Sequence, residues 1–177
     1  DRIFVTNDSY QTWYIMNDKK FNQKFIDKIL DLIKPNINYN LIDIGANTGL
    51  LTRCLLKHFK NIHNSFLVEP NKDNIFCIKN NLKDFQNIKI AEFALDINDG
   101  EKILYIDKNN KGNLSFNYEM MQLNHDKLNF LNSEEDYEMV KCKSVQKYFY
   151  EIKNNLKNII KIDVQGYDEI VFQEIPD

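Results

Sequence analysis

Little in this sequence would build a nucleic-acid groove, a disulfide scaffold or a membrane span. Arginine is almost absent: Arg2 and Arg53 are the only two, and the 23 basic residues are outnumbered by 26 acidic ones. No basic stripe interleaved with aromatics occurs, so no nucleic-acid partner is expected. Cysteine is limited to Cys54, Cys77 and Cys142, an odd number with no CxxC pair. That argues against a stapled fold and a thiolate zinc site. It fits small buried thiols in a reducing compartment, the cytoplasm. No run of about 18 apolar residues is available to span a bilayer. No signal peptide is visible, although the chain opens on Asp1 rather than Met. Internal repeats and Pro/Gly/Ser-rich linkers are missing as well.

What remains is a chain of 177 residues, 43% hydrophobic, which is enough for the core of one domain. Its apolar pattern switches between the helical and the strand period. Phe21, Phe25, Ile29 and Ile33 recur at every fourth position and predict an amphipathic helix that stops before Pro35. This gives a helical lead-in over residues 1–38 and a domain over 39–177. Strands are predicted at 41–44, 66–68, 88–93, 102–106, 138–143 and 158–163. Helices are predicted along Leu50 to Phe59, Ile75 to Phe85, Val145 to Ile152 and Tyr167 to Glu174. Tyr118 to Phe130 reads as either a helix or an irregular loop. Strand and helix in alternation imply an α/β fold with a parallel sheet and right-handed crossovers. The strand of Leu41 should lie centrally, with that of Phe66 on one side and that of Asn158 on the other.

The segment Leu41-Ile42-Asp43-Ile44-Gly45-Ala46-Asn47-Thr48-Gly49 passes from strand to turn to helix. Gly45 would let the backbone approach a ligand closely, and Gly49 would let the helix pack tightly on the strand. Glu69 closes the next strand, where a carboxylate can take two hydrogen bonds from ribose hydroxyls. The glycines read G-x-x-x-G rather than the GxGxxG of a dinucleotide site. Asp43, where the strand opens into the loop, would repel a pyrophosphate. It would suit the sulfonium and ammonium of S-adenosylmethionine. A second cluster, Ile160-Lys161-Ile162-Asp163-Val164-Gln165-Gly166-Tyr167-Asp168, places Lys161 and Asp163 on one face of a strand, with Asp163 at its carboxyl end. That pair reads either as site residues or as a structural salt bridge.

The loop DIGANTG and the later KIDVQGYD resemble the FkbM family of methyltransferases, as do FLVEP at Phe66 to Pro70 and Ala94-Leu95 followed by Gly100. The resemblance implies a Rossmann-like class I methyltransferase sheet with flanking helices, here without its last strands. It also implies O-methylation of a hydroxyl, commonly on a sugar or polyketide. On this basis Asp43, Gly45, Ala46, Asn47, Gly49, Glu69 and Pro70 are expected to line the pocket for S-adenosylmethionine, and Asp96 to contact adenine. Asp163 would face the transferred methyl group as the base, assisted by Lys161, with His125 as second choice. Asp168 stands where the family usually has Glu. No metal is expected. The acceptor would be a small molecule or glycan. Two rivals stay open: a non-catalytic binding module of the same fold, and an NAD-dependent oxidoreductase.

Overall fold

Six consecutive buried residues form the strand β1 (Tyr39–Ile44). A strand buried on both faces needs cover on both, and a parallel sheet with helices on either side supplies it. The computed structural model describes residues 2–6, 23–30, 32–107, 114–119 and 135–176. In it β1 pairs in parallel with β2 (Ile62–Val68) on one side and with β8 (Lys157–Ile162) on the other, while β3 (Ile88–Ala91) continues beyond β2. The order is β3-β2-β1-β8. The four strands are those expected from the periodicity, and the Leu41 strand is central as expected.

Alternation along β1 and β2 divides the core. Leu41 faces α1 (Gln23–Leu30) and α2 (Leu50–His58), where it clusters with Ile26, Ile29 and Leu55. Leu67 packs on the same side against Ile78 of α3 (Lys72–Asn81) and against Leu82. Ile42, Ile44, Phe66 and Val68 point the other way. They meet Val145, Tyr148 and Phe149 of α4 (Val145–Ile152) and Val171 of α5 (Asp168–Gln173). The result is three layers, helix–sheet–helix, as binary patterning of an α/β chain requires.

A second sheet departs from expectation. Residues 88–93 read as one strand, yet β3 ends at Ala91 and the chain then enters β4 (Ala94–Asp96), which belongs elsewhere. There β4 runs parallel to β7 (Glu135–Ser144), and β7 runs antiparallel to β5 (Gly100–Asp107), with the short β6 (Leu114–Ser115) outermost. Ala94, Leu95 and Asp96 are all buried. A continuous apolar run shows that a strand is covered, but not which sheet it joins. The strands predicted at 102–106 and 138–143 are present within β5 and β7. Beyond Tyr118 and Glu119 the segment from Tyr118 to Phe130 lies outside the described residues, and so do His125 and Phe21.

Candidate active site

A cavity opens at the carboxyl ends of β1, β2 and β8, roofed by the second sheet. Gly45, Asn47, Glu69, Pro70 and Asp163 line its floor and rim, and Leu104, Phe116 and Tyr167 form its far wall. Ligands in open α/β sheets lie beyond the carboxyl ends of the strands, and these residues stand there because their strands stop there.

Gly45 lines the cavity, and the fold itself also requires a glycine there. Its φ is +74°, and a Cβ would sit 2.0 Å from the carbonyl oxygen of Asp163. The exits of β1 and β8 are in van der Waals contact at this point, and only a residue without a side chain fits between them. Gly49 has a φ of +75° at the N-cap of α2. Its close neighbour is Ile78 on α3 rather than a strand.

Asp43 does not face the cavity. Its carboxylate is buried, accepts a 2.6 Å hydrogen bond from Thr52 Oγ1, and lies 3.0 Å from Lys161 Nζ. Lys161 also donates to the carbonyl of Gly45 at 2.6 Å. Strand register makes this pairing, since Asp43 and Lys161 stand opposite one another on β1 and β8. Asp43, expected to attract a cationic ligand, is thus paired with the cation of Lys161 and does not line the cavity. A catalytic role for Lys161 is likewise unsupported: its ammonium ties two strand ends together. Ala46 is buried among Leu67, Ile78 and Leu82, so it supports the loop from behind.

Asp163 is the exposed member of the pair. Its side chain is 56% exposed and its Oδ2 lies 3.9 Å from Lys161. Its Oδ1 accepts from Gln165 Nε2 at 3.1 Å. The salt bridge anticipated between Lys161 and Asp163 is thus chiefly one between Lys161 and Asp43. Asp168 closes the turn below it by accepting from the amides of Val164 and Gly166 at 3.1 and 3.0 Å.

Glu69 is fully enclosed beneath the cavity. Oε2 accepts from the Asn47 amide at 2.8 Å, and Oε1 accepts from the Asn71 amide at 3.0 Å and from Asn74 Nδ2 at 3.2 Å. Burial outweighs these hydrogen bonds and raises its pKa to about 7. The strand-end carboxylate is therefore poised to titrate near neutrality.

Residues 43–176 match the methyltransferase FkbM domain. The chain belongs to the FkbM methyltransferase family. A crystal structure of methyltransferase FkbM from Methylobacillus flagellatus KT is similar to it at 12% identity with a TM-score of 0.48, covering 77% of this chain and 28% of that one. The chain therefore spans less than a third of the length of that solved relative. No curated protein matches the sequence.

In this FkbM domain Asp96 sits behind the cavity wall rather than in it. Oδ1 accepts from the Tyr167 hydroxyl at 2.6 Å and from its neighbour's amide at 2.8 Å, and Oδ2 pairs with Lys102 at 2.6 Å. Burial opposes its charge, but the bonds from Lys102 and Tyr167 prevail and hold the carboxyl below its ordinary pKa. Asp96 thus anchors Tyr167 from behind the wall. Tyr167 and Phe116 meet edge to face at 5.4 Å between ring centres. Periodicity did not single out Tyr167, Phe116 or Asn74 as site residues. Asn74 did carry a signal. Asn71 caps α3 by accepting from the amides of Asp73 and Asn74, and an N-cap directly after a strand-end acid turns the first helical residues toward that acid. No helix among the described residues is long and apolar enough to cross a membrane.

Proposed function

We propose that this FkbM domain binds S-adenosylmethionine and serves the O-methylation of a hydroxyl on a sugar or glycoconjugate. The observation that supports it best is the cavity floor. There a buried carboxylate, Glu69, is joined by the side-chain oxygens of Asn47 and Asn74, which are buried without a hydrogen-bond partner among the described residues. Orphaned buried acceptors cost stability and are rare unless a ligand completes them. A set made of acceptors alone fits a ligand rich in hydroxyl and amine donors, as a nucleoside is. When bound, S-adenosylmethionine supplies a methyl carbon activated by its sulfonium. The protein's part is alignment, worth about 7–11 kcal/mol in well-oriented systems, and acceptance of the hydroxyl proton. Asp163, exposed at the rim, is the acceptor proposed for that proton. The buried free thiols Cys77 and Cys142 agree with a cytoplasmic setting.

Calorimetry tests the reading against its rivals. S-adenosylmethionine should bind and NAD should not; binding of NAD alone would overturn the proposal. A glycan panel incubated with the donor and followed by mass spectrometry should show a product heavier by one methyl group. Donor binding without any such product would favour the non-catalytic module.

Glu69→Ala should weaken donor binding by about 1–3 kcal/mol, because a ribose hydroxyl loses a charged acceptor, and should also lower the melting temperature, because the Asn47 and Asn71 amides and Asn74 Nδ2 lose theirs. Calorimetry of the soluble variant checks this, and unchanged affinity would remove Glu69 from the site. The wild type should also bind the donor in a pH-dependent way. Hydroxyls donate best to an ionised carboxylate, and in the ligand-free site this one is half protonated at about pH 7. Affinity should fall by about tenfold per pH unit below that point and level off above it. The same raised pKa works in the opposite sense on the ligand-free fold. The folded state holds the proton more tightly than the unfolded chain, so this group's contribution to stability declines as pH rises from about 4.5 to about 7 and is flat beyond. Glu69→Gln should remove both dependences.

A further inference from the structure

Glu69 cannot satisfy a nucleoside's vicinal diol alone. An ionised carboxylate offers about four acceptor positions. Two on Oε1 are filled by Asn71 and Asn74 and one on Oε2 by the Asn47 amide, which leaves a single place, on Oε2. A ribose brings two hydroxyl donors, so the second needs another acceptor. Asn74 is 1% exposed, lines the cavity, and has one side-chain atom without a partner among the described residues, Oδ1. Its orientation is set by chemistry. Against the ionised carboxylate only the amide nitrogen can face an oxygen of Glu69, so Nδ2 is spent on Glu69 Oε1 and Oδ1 is left over. Asn74 thus stands beside the carboxylate, in direct contact with it, as the acceptor for a neighbouring hydroxyl should. Asn47 also carries an unpartnered Oδ1, but it meets Glu69 through its backbone amide, so its side chain is not held against the carboxylate.

We infer that Asn74 is a ligand-reading residue, and that Glu69 and Asn74 divide the diol between them, one hydroxyl donating to Glu69 Oε2 and the other to Asn74 Oδ1. The inference rests on the S-adenosylmethionine reading above. It makes the pocket selective for a full ribose, since a deoxyribose would leave one of two buried acceptors unfilled.

Calorimetry of the 177-residue chain with S-adenosylmethionine and with its 2′-deoxy and 3′-deoxy analogues tests this. Removing either hydroxyl should weaken binding to the wild type by about tenfold, because each has its own acceptor. Asn74→Leu should weaken S-adenosylmethionine by a similar factor, and one of the two analogues should then bind that variant as well as S-adenosylmethionine does. If only one hydroxyl matters to the wild type, the division is wrong, and that measurement needs no variant. Unchanged affinity in a folded Asn74→Leu, or the same insensitivity appearing in Asn47→Ala instead, overturns the assignment while leaving the donor reading intact. Failure of the wild type to bind S-adenosylmethionine overturns the donor reading, and the inference with it. Melting temperatures recorded alongside separate lost affinity from lost folding, and Asn74→Ala replaces Asn74→Leu if the larger side chain is not accommodated.

Discussion

Asp163→Asn is expected to lower methyl-transfer turnover by about 10²–10⁴-fold while melting temperature and donor affinity stay close to wild type. The substitution keeps the side-chain shape and removes the proton acceptor. Three observations make the separation clean. Asp163 is 56% exposed, so its charge carries no burial cost that the mutation could relieve. Its contact with Lys161 is 3.9 Å, against 3.0 Å from Lys161 to Asp43, so the structural pair survives. The structural part it does play, at the point where β1 and β8 come together, is made by its backbone: its amide donates to Ile44 and its carbonyl packs against Gly45. Single-turnover rates and thermal unfolding on one preparation decide the matter. Wild-type turnover in a stable variant would send the search for the base to the segment around His125. Early melting would mean that the carboxylate is structural after all.

Lys161→Met is expected to cost about 3–5 kcal/mol of stability, the usual penalty for leaving a buried charge without its partner. Among the described residues, the Asp43 carboxylate would keep the Thr52 hydroxyl as its side-chain partner. The carbonyl of Gly45 would lose a charge-assisted bond as well. Urea unfolding at neutral pH measures the loss as a shift in midpoint at constant slope. Pairing the change with Asp43→Leu should restore much of it, because apolar groups of similar size replace a buried ion pair at little net cost. A wild-type midpoint for Lys161→Met alone would show that the strand ends do not depend on the pair.

Much of the architecture could be read in advance. β1 announced itself by an apolar run ending in Gly45, and α2 by the stripe Leu50, Leu51, Cys54, Leu55 and Phe59, because both periods are local properties of the backbone. Glu69 and Asp163 were recognisable as strand-end acids on the same ground. The second sheet was not readable, since β4, β5 and β7 are linked by pairings between residues as distant as Ala94 and Cys142. The lysine partners of Asp43 and Asp96 were not readable for a related reason. Each has the right sequence position for a ligand contact, yet each is already engaged by a lysine from another strand, Lys161 and Lys102.

The sequence by itself determined the order of strands and helices, the loop at the end of β1, and which side chains stand at the carboxyl ends of the sheet. It also placed Lys161 and Asp163 on one face of the strand expected at 158–163. Only the tertiary structure decided which acid that lysine would hold. Parallel register set Asp43 directly across from it in the buried layer beneath α2, and left Asp163 at the open edge of the cavity. A buried charge must be compensated and an exposed one need not be. The buried acid therefore took the lysine, and the exposed acid stayed at the rim of the cavity.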